Sequence, residues 1–137
     1  MIRTASAVWN GGLKDGKGTI STQSGVLSET QYSFSTRFED GIGINPEELI
    51  AAAHAGCFTM AFSAQLGDRG ITPESVSTTA AITMLSLVLT KSELTTTVVA
   101  PGADKTTIEE AAAAAKAGCP ISKVLNLEIS LDLTVTV

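Results

Sequence analysis

The chain has few of the residues that usually carry chemistry: one histidine, two cysteines, one tryptophan, one tyrosine, and only 9 lysines and arginines against 14 acidic residues. With a formal charge of -5, no basic run and no alternation of aromatic with basic residues, nucleic acid and anionic membrane surfaces are poor candidate partners. No Cys-x-x-Cys pair exists, so a closed structural zinc site would need a carboxylate beside the single histidine. No Gly-x-Ser-x-Gly stretch supports a serine hydrolase. The start, "MIRTASAVWNGG", lacks the apolar segment of a secretory signal, so the expected compartment is the cytosol, where paired cysteines are more often reduced or catalytic than structural. Nothing marks a linker, and 137 residues with 44% hydrophobic content suit one domain over residues 1–137.

What is present divides into strands and two strong helices. "RTASAVW" alternates loosely, "NGGLKDGKG" is dense in turn residues, and "TISTQSGVLS" and "QYSFSTRFE" read as further strands of an antiparallel meander. "ESVSTTAAITMLSLVLTKSELTTTVVAPG" is rich in β-branched residues, and its most polar point, "TKSE", is the expected hairpin turn. "TTIEEAAAAAKAGCP" predicts a helix opened by a Thr107-x-x-Glu110 capping box and ended by Gly118 and Pro120. "ISKVL" suits one further helical turn, and "LEISLDLTVTV" alternates as a closing strand. The order of elements predicts an α+β fold without the rhythm of a parallel βαβ sheet.

The longest signal is "NPEELIAAAHAGCFTMAFSAQL", residues 45–66. Asn45 can cap the first free N–H groups, Pro46 suits the first helical position, and Glu48 completes an Asn-x-x-Glu variant of the capping box. From Leu49 to Leu66 the segment carries no charge. That is long enough to span a membrane, yet it is mostly Ala, Gly, Ser and Thr and lacks a basic flank, so a core helix is the better reading. A helix without a polar face must be surrounded by protein, which for a chain this small implies a partner subunit.

Cys57 lies inside that helix, where the backbone N–H groups are already bonded, so any activation of its thiol must come from a side chain. Cys119 stands between a helix-ending glycine and Pro120, where free N–H groups can stabilise a thiolate. The plainer alternative is that both are buried small hydrophobes. His54 lies one turn before Cys57 and is a conceivable half of a metal site with Cys119 as third ligand. A lone histidine on a helix is more often a hydrogen-bonded core residue, and no metal is expected. Arg37 stands at the end of a predicted strand and Glu47 in the first turn of the helix, where each reads equally well as solvated charge. Glu47 lies almost three turns before Cys57, so the two cannot touch within the helix.

"NPEELIAAAHAGCF" together with "KAGCPISKVLNLEISLDL" closely resembles the OsmC branch of the OsmC/Ohr family of thiol peroxidases. "GKGTISTQSGVL" and "FSTRFE" resemble that branch's N-terminal strands, and "GGLKDG" stands where Ohr proteins carry an early arginine. The resemblance implies an intertwined homodimer, with antiparallel sheets wrapped around two central helices. It implies that Cys57 attacks a peroxide, that Cys119 resolves the sulfenic acid to a disulfide, and that Arg37 with Glu47 forms the activating ion pair, with no cofactor. It also implies an organic hydroperoxide as substrate and a dithiol reductant, of which a lipoyl group is one form. "MLSLVLTKSELTTTVV" departs from the pattern, being shorter than the family's hairpin and lacking its acidic-glycine turn.

Magnitudes decide where the rate would come from. A thiol of pKa about 8.5 is roughly 3% ionised at pH 7, and a pKa of about 6 would raise that about thirtyfold. Intrinsic nucleophilicity falls roughly tenfold over the same change. Stabilising the charge that develops on the peroxide oxygens must therefore supply the larger share, a task suited to an oriented guanidinium. Phe58, Met60 and Phe62 are the expected apolar surroundings of the substrate's organic group. The rival reading is a small-molecule or lipid-binding stress protein with inert cysteines.

Overall fold

The computed structural model describes residues 1–137, which form two compact units, Met1–Leu49 and Ile50–Val137. In the first, β1 (Ala5–Asn10), β2 (Lys17–Thr22) and β3 (Thr30–Tyr32) make the antiparallel meander that the turn-rich segments predict. Gly18 of β2 lies opposite both Trp9 and Tyr32. The two rings meet edge to face over it with centroids 5.3 Å apart, leaving no room for a side chain at Gly18.

"QYSFSTRFE" is not one strand. After Tyr32 the chain turns into the short helix α1 (Phe34–Phe38). Ser33 and Thr36 form a reciprocal capping box: the Thr36 N–H donates to Ser33 Oγ at 3.3 Å and the Ser33 N–H to Thr36 Oγ1 at 2.9 Å. The Phe34 and Phe38 rings, four residues apart, pack at 4.9 Å. Local hydrogen bonding and one i,i+4 aromatic pair thus override the strand propensity of Phe and Thr.

Helix α2 (Pro46–Asp68) begins at the predicted residue, with the Glu48 N–H donating to Asn45 Oδ1 at 2.8 Å, but the Glu48 side chain does not return the bond that would complete the expected capping box. In the second unit its buried residues are His54, Phe58, Phe62 and Leu66, one stripe at four-residue spacing. The opposite face, with Ala53, Gly56, Met60, Ala64 and Gly67, is exposed and uncharged, and Met60 is 76% exposed. The same helix is long and apolar enough to cross a membrane by length and composition.

The second sheet has the order β4 (Ser75–Leu85), β5 (Val88–Val99), β6 (Glu128–Thr136). The turn between β4 and β5 is at Ser86 and Leu87, not at "TKSE", which lies within β5. Both turn residues have positive φ, 50° and 64°, as a two-residue hairpin requires, although neither is Gly or Asn. Pairing along β4 and β5 sets this turn against local preference, at a cost of roughly 1–2 kcal/mol per residue. β5 and β6 are parallel neighbours, contrary to the expected absence of a βαβ rhythm. Helices α3 (Lys105–Gly118) and α4 (Pro120–Val124) supply the crossover that such a pair needs.

Asp104, not Thr107, caps α3: the Thr107 N–H and hydroxyl both donate to Asp104 Oδ2, at 2.8 and 2.7 Å. The alternating buried residues of β5, among them Leu94 and Val98, pack with Phe58, Phe62 and Leu66 of α2 and with Ile108, Ala111, Ala112 and Ala115 of α3. The alanines let α3 approach closely, and this core carries both cysteines.

Candidate active site

Cys57 projects from α2, while Cys119 occupies the joint at which α3 stops and α4 starts. Pro120 takes the first position of α4, where its missing N–H costs nothing. The Cys119 N–H still donates to the Ala115 carbonyl at 2.9 Å, so this residue closes one helix and opens the next. The joint brings the two sulfurs, 62 residues apart in sequence, to 2.9 Å. Both are free thiols, and the gap exceeds a disulfide bond by only about 0.9 Å. Cys119 is fully buried and Cys57 half-buried, so of the two sulfurs Cys57 is the accessible one.

The surroundings divide the proton unequally. Burial pushes the Cys57 thiol up, reinforced by its hydrogen bond and charge repulsion with Cys119 and only partly offset by the Ile121 backbone. Burial also pushes Cys119 up, but the hydrogen bond with Cys57, then those from the backbone and hydroxyl of Ser122 and the backbone of Ile121, outweigh it and bring it below the ordinary thiol value. The two thiols are therefore shifted in opposite directions, Cys57 up and Cys119 down, while in the contact between them the Cys119 thiol donates to Cys57 Sγ. The expectation that Cys119 gains thiolate character from the start of α4 agrees with this.

His54 is a buried, hydrogen-bonded core residue. Its Nδ1 lies 2.7 Å from Ser92 Oγ on β5 and its Nε2 2.8 Å from Ser122 Oγ on α4. Burial lowers its pKa, so the ring is neutral, with one nitrogen donating and the other accepting. The two serines are contributors that sequence reasoning missed. No group of three or more His, Cys, Asp and Glu side chains is placed to hold a metal ion.

In the first unit, Arg37 on α1 meets Glu47 in the first turn of α2. Nε donates to Oε1 and Oε2 at 3.1 and 3.3 Å, and Nη2 donates to Oε1 at 2.8 Å. Asn45 builds this geometry: besides capping α2, its Nδ2 donates to the Thr36 carbonyl at 3.1 Å, joining the end of one helix to the start of the other. The Arg37 guanidinium also lies 5.1 Å from the centroid of the Phe38 ring. Beside it opens a cleft of about 210 Å³ lined by Trp9, Leu13, Tyr32, Ser33, Phe34, Phe38 and Pro46. Of the expected apolar surroundings of the substrate, Phe58 and Phe62 are fully buried in the core, whereas Met60 is exposed.

The family described as OsmC-like protein matches residues 39–134. Peroxiredoxin OsmC of Escherichia coli is 49% identical over 134 residues, covering 95% of this chain and 94% of that one. Among solved structures, the organic hydroperoxide resistance protein OsmC of Legionella pneumophila is 25% identical with a TM-score of 0.68, covering 98% of this chain and 97% of that one. The organic hydroperoxide resistance protein OhrB of Bacillus subtilis is also 25% identical, with a TM-score of 0.65 and coverage of 96% and 98%.

Proposed function

This chain belongs to the OsmC family, and on that premise we propose that it is a cysteine-based peroxidase that reduces organic hydroperoxides to alcohols. The observation that carries the mechanism is the sulfur pair: 2.9 Å apart, one half-buried and one wholly buried. The accessible Cys57 is the nucleophile. Its proton passes toward Cys119 or solvent, and its thiolate attacks the terminal oxygen of the hydroperoxide. The O–O bond breaks, the alkoxide takes up that proton from Cys119 or solvent and leaves as alcohol, and Cys57 becomes a sulfenic acid. Cys119, as thiolate, then attacks the sulfenic sulfur. Hydroxide leaves and is protonated to water, and a Cys57–Cys119 disulfide remains. A dithiol, such as a lipoyl group, returns both thiols by exchange.

Arg37 is assigned the charge developing on the peroxide oxygens, with Glu47 holding its guanidinium plane. An apolar cleft with a guanidinium on its wall suits a hydroperoxide with a hydrophobic organic group better than hydrogen peroxide. The uncharged exposed face of α2 supports a second copy of this chain as its cover, in a homodimer. Titration of free thiols after adding cumene hydroperoxide tests the proposal: two thiols per chain are lost and cumyl alcohol appears. Unchanged thiols would instead favour a binding protein with inert cysteines.

A further inference from the structure

Two side-chain links join α2 to α4, beside the bond from the Ile121 backbone to Cys57. One is the contact between Cys57 and Cys119. The other runs beside it: His54, three residues before Cys57, reaches Ser122, three residues after Cys119, at 2.8 Å. The links differ in kind. The sulfur contact has to open to admit an oxygen atom on Cys57 and then close to a covalent bond, whereas the His54–Ser122 bond contains no redox-active atom. On its other side the ring is anchored to Ser92 of β5 at 2.7 Å, so the imidazole is held at both nitrogens.

In the five-residue helix Pro120–Val124 only Ser122 is buried, and Ile121 is partly buried against the core. His54 and Ser92 are fully buried and Ser122 is 9% exposed, and a buried hydrogen bond of this kind costs most when one partner is lost. The consequence is geometric, since Cys119 is the residue from which α4 starts and any rotation of α4 carries its sulfur away.

We propose that His54, clamped between Ser92 and Ser122, is a positioning residue for disulfide formation, holding α4 so that Cys119 stays aligned with Cys57 through the redox cycle. It touches neither peroxide nor sulfur. The inference rests on the reading of Cys57 and Cys119 as a redox pair, but it concerns their alignment and not the oxidant. The step it serves is balanced without the histidine: two thiols lose two electrons and two protons to the oxidant, and one S–S bond forms.

The test is the equilibrium of the full chain with reduced and oxidised dithiothreitol, which yields the effective concentration of Cys119 toward Cys57. Ser122→Ala is expected to lower it about tenfold, equivalent to about 1.4 kcal/mol. Ser122→Thr, which keeps the hydroxyl and has room for its methyl in the open cleft beside Ala117 and Ile129, is expected to restore it. A wild-type value in Ser122→Ala would overturn the proposal, as would equal losses in the Ala and Thr variants. Because the Ser122 hydroxyl also bonds Cys119, Ser92→Ala, which frees only the other side of the ring, is measured beside it and stands alone should Ser122→Ala fail to fold; a wild-type value in Ser92→Ala would likewise overturn the proposal. No hydroperoxide enters this equilibrium. A chain that forms the disulfide but reduces no hydroperoxide would therefore count against the peroxidase reading alone, leaving the effect of Ser122 on alignment to be read as before.

Discussion

Arg37 presents the side of its guanidinium to Glu47, with Nε and Nη2 each donating to Oε1, at 3.1 and 2.8 Å. The side chains are 38% and 14% exposed, so the guanidinium stays open to solvent while the carboxylate is largely covered. What the pair fixes is a plane, and it leaves Nη1 without a bond to Glu47.

Arg37→Lys should therefore lower the rate of reaction with hydroperoxide about a hundredfold, the usual effect of removing one preorganised donor, while the urea midpoint barely moves. Lysine keeps the charge but not the fork. Stopped-flow rates across pH distinguish the two roles. Recovery of the wild-type rate at high pH would show that Arg37 only ionises the thiol.

Cys57→Ser is nearly isosteric and should fold while losing all peroxide reduction. Cys119→Ser should react once, leaving Cys57 as a sulfenic acid that excess peroxide carries to sulfinic acid. Mass spectrometry reads the added oxygens on Cys57, and a clean second turnover in Cys119→Ser would remove Cys119 from the resolving role.

Oxidation should also stabilise the fold. Closing a loop between cysteines 62 residues apart removes chain entropy from the unfolded state worth about 4 kcal/mol. Urea unfolding of the oxidised and reduced forms measures this, and an oxidised form no more stable than the reduced one would mean that the native joint is strained by the bond.

His54 carries a pH dependence of definite sign. Burial lowers its folded pKa below the ordinary 6.5. Above 6.5 both states are neutral and the group contributes no slope. As pH falls below 6.5 the unfolded chain binds a proton that the folded chain refuses, so stability falls, by up to about 1.4 kcal/mol per pH unit. Unfolding at pH 7.5, 6.5 and 5.5, with His54→Gln as reference, isolates this contribution. Parallel losses in the two proteins would show that other groups dominate.

The local signals were legible where a few neighbouring residues decide the outcome. Asn45 and Pro46 start α2, Gly118 and Pro120 separate α3 from α4, and the contexts of Cys57 and Cys119 point to thiol chemistry. "SFSTRF" contained its own correction, because Ser33-x-x-Thr36 can cap a helix even though the segment's β-branched and aromatic residues favour a strand. The Ser86–Leu87 turn had no such signal. Its residues are poor choices for positive φ, and the pairing of the strands on either side overrides them.

By itself the sequence determined the alternation of strands and helices, the uncharged course of α2 and the candidacy of Cys57 and Cys119, since each depends on residue type and short spacing, whereas Arg37 and Glu47 became candidates only through the resemblance to a known family. Only the tertiary structure decided that Cys119 would be buried 2.9 Å from Cys57, that His54 would bond Ser92 and Ser122, and that β5 and β6 would run parallel. Those contacts join residues 37 to 68 positions apart, and at such separations the partner is chosen by sheet register and core packing, which no local pattern encodes.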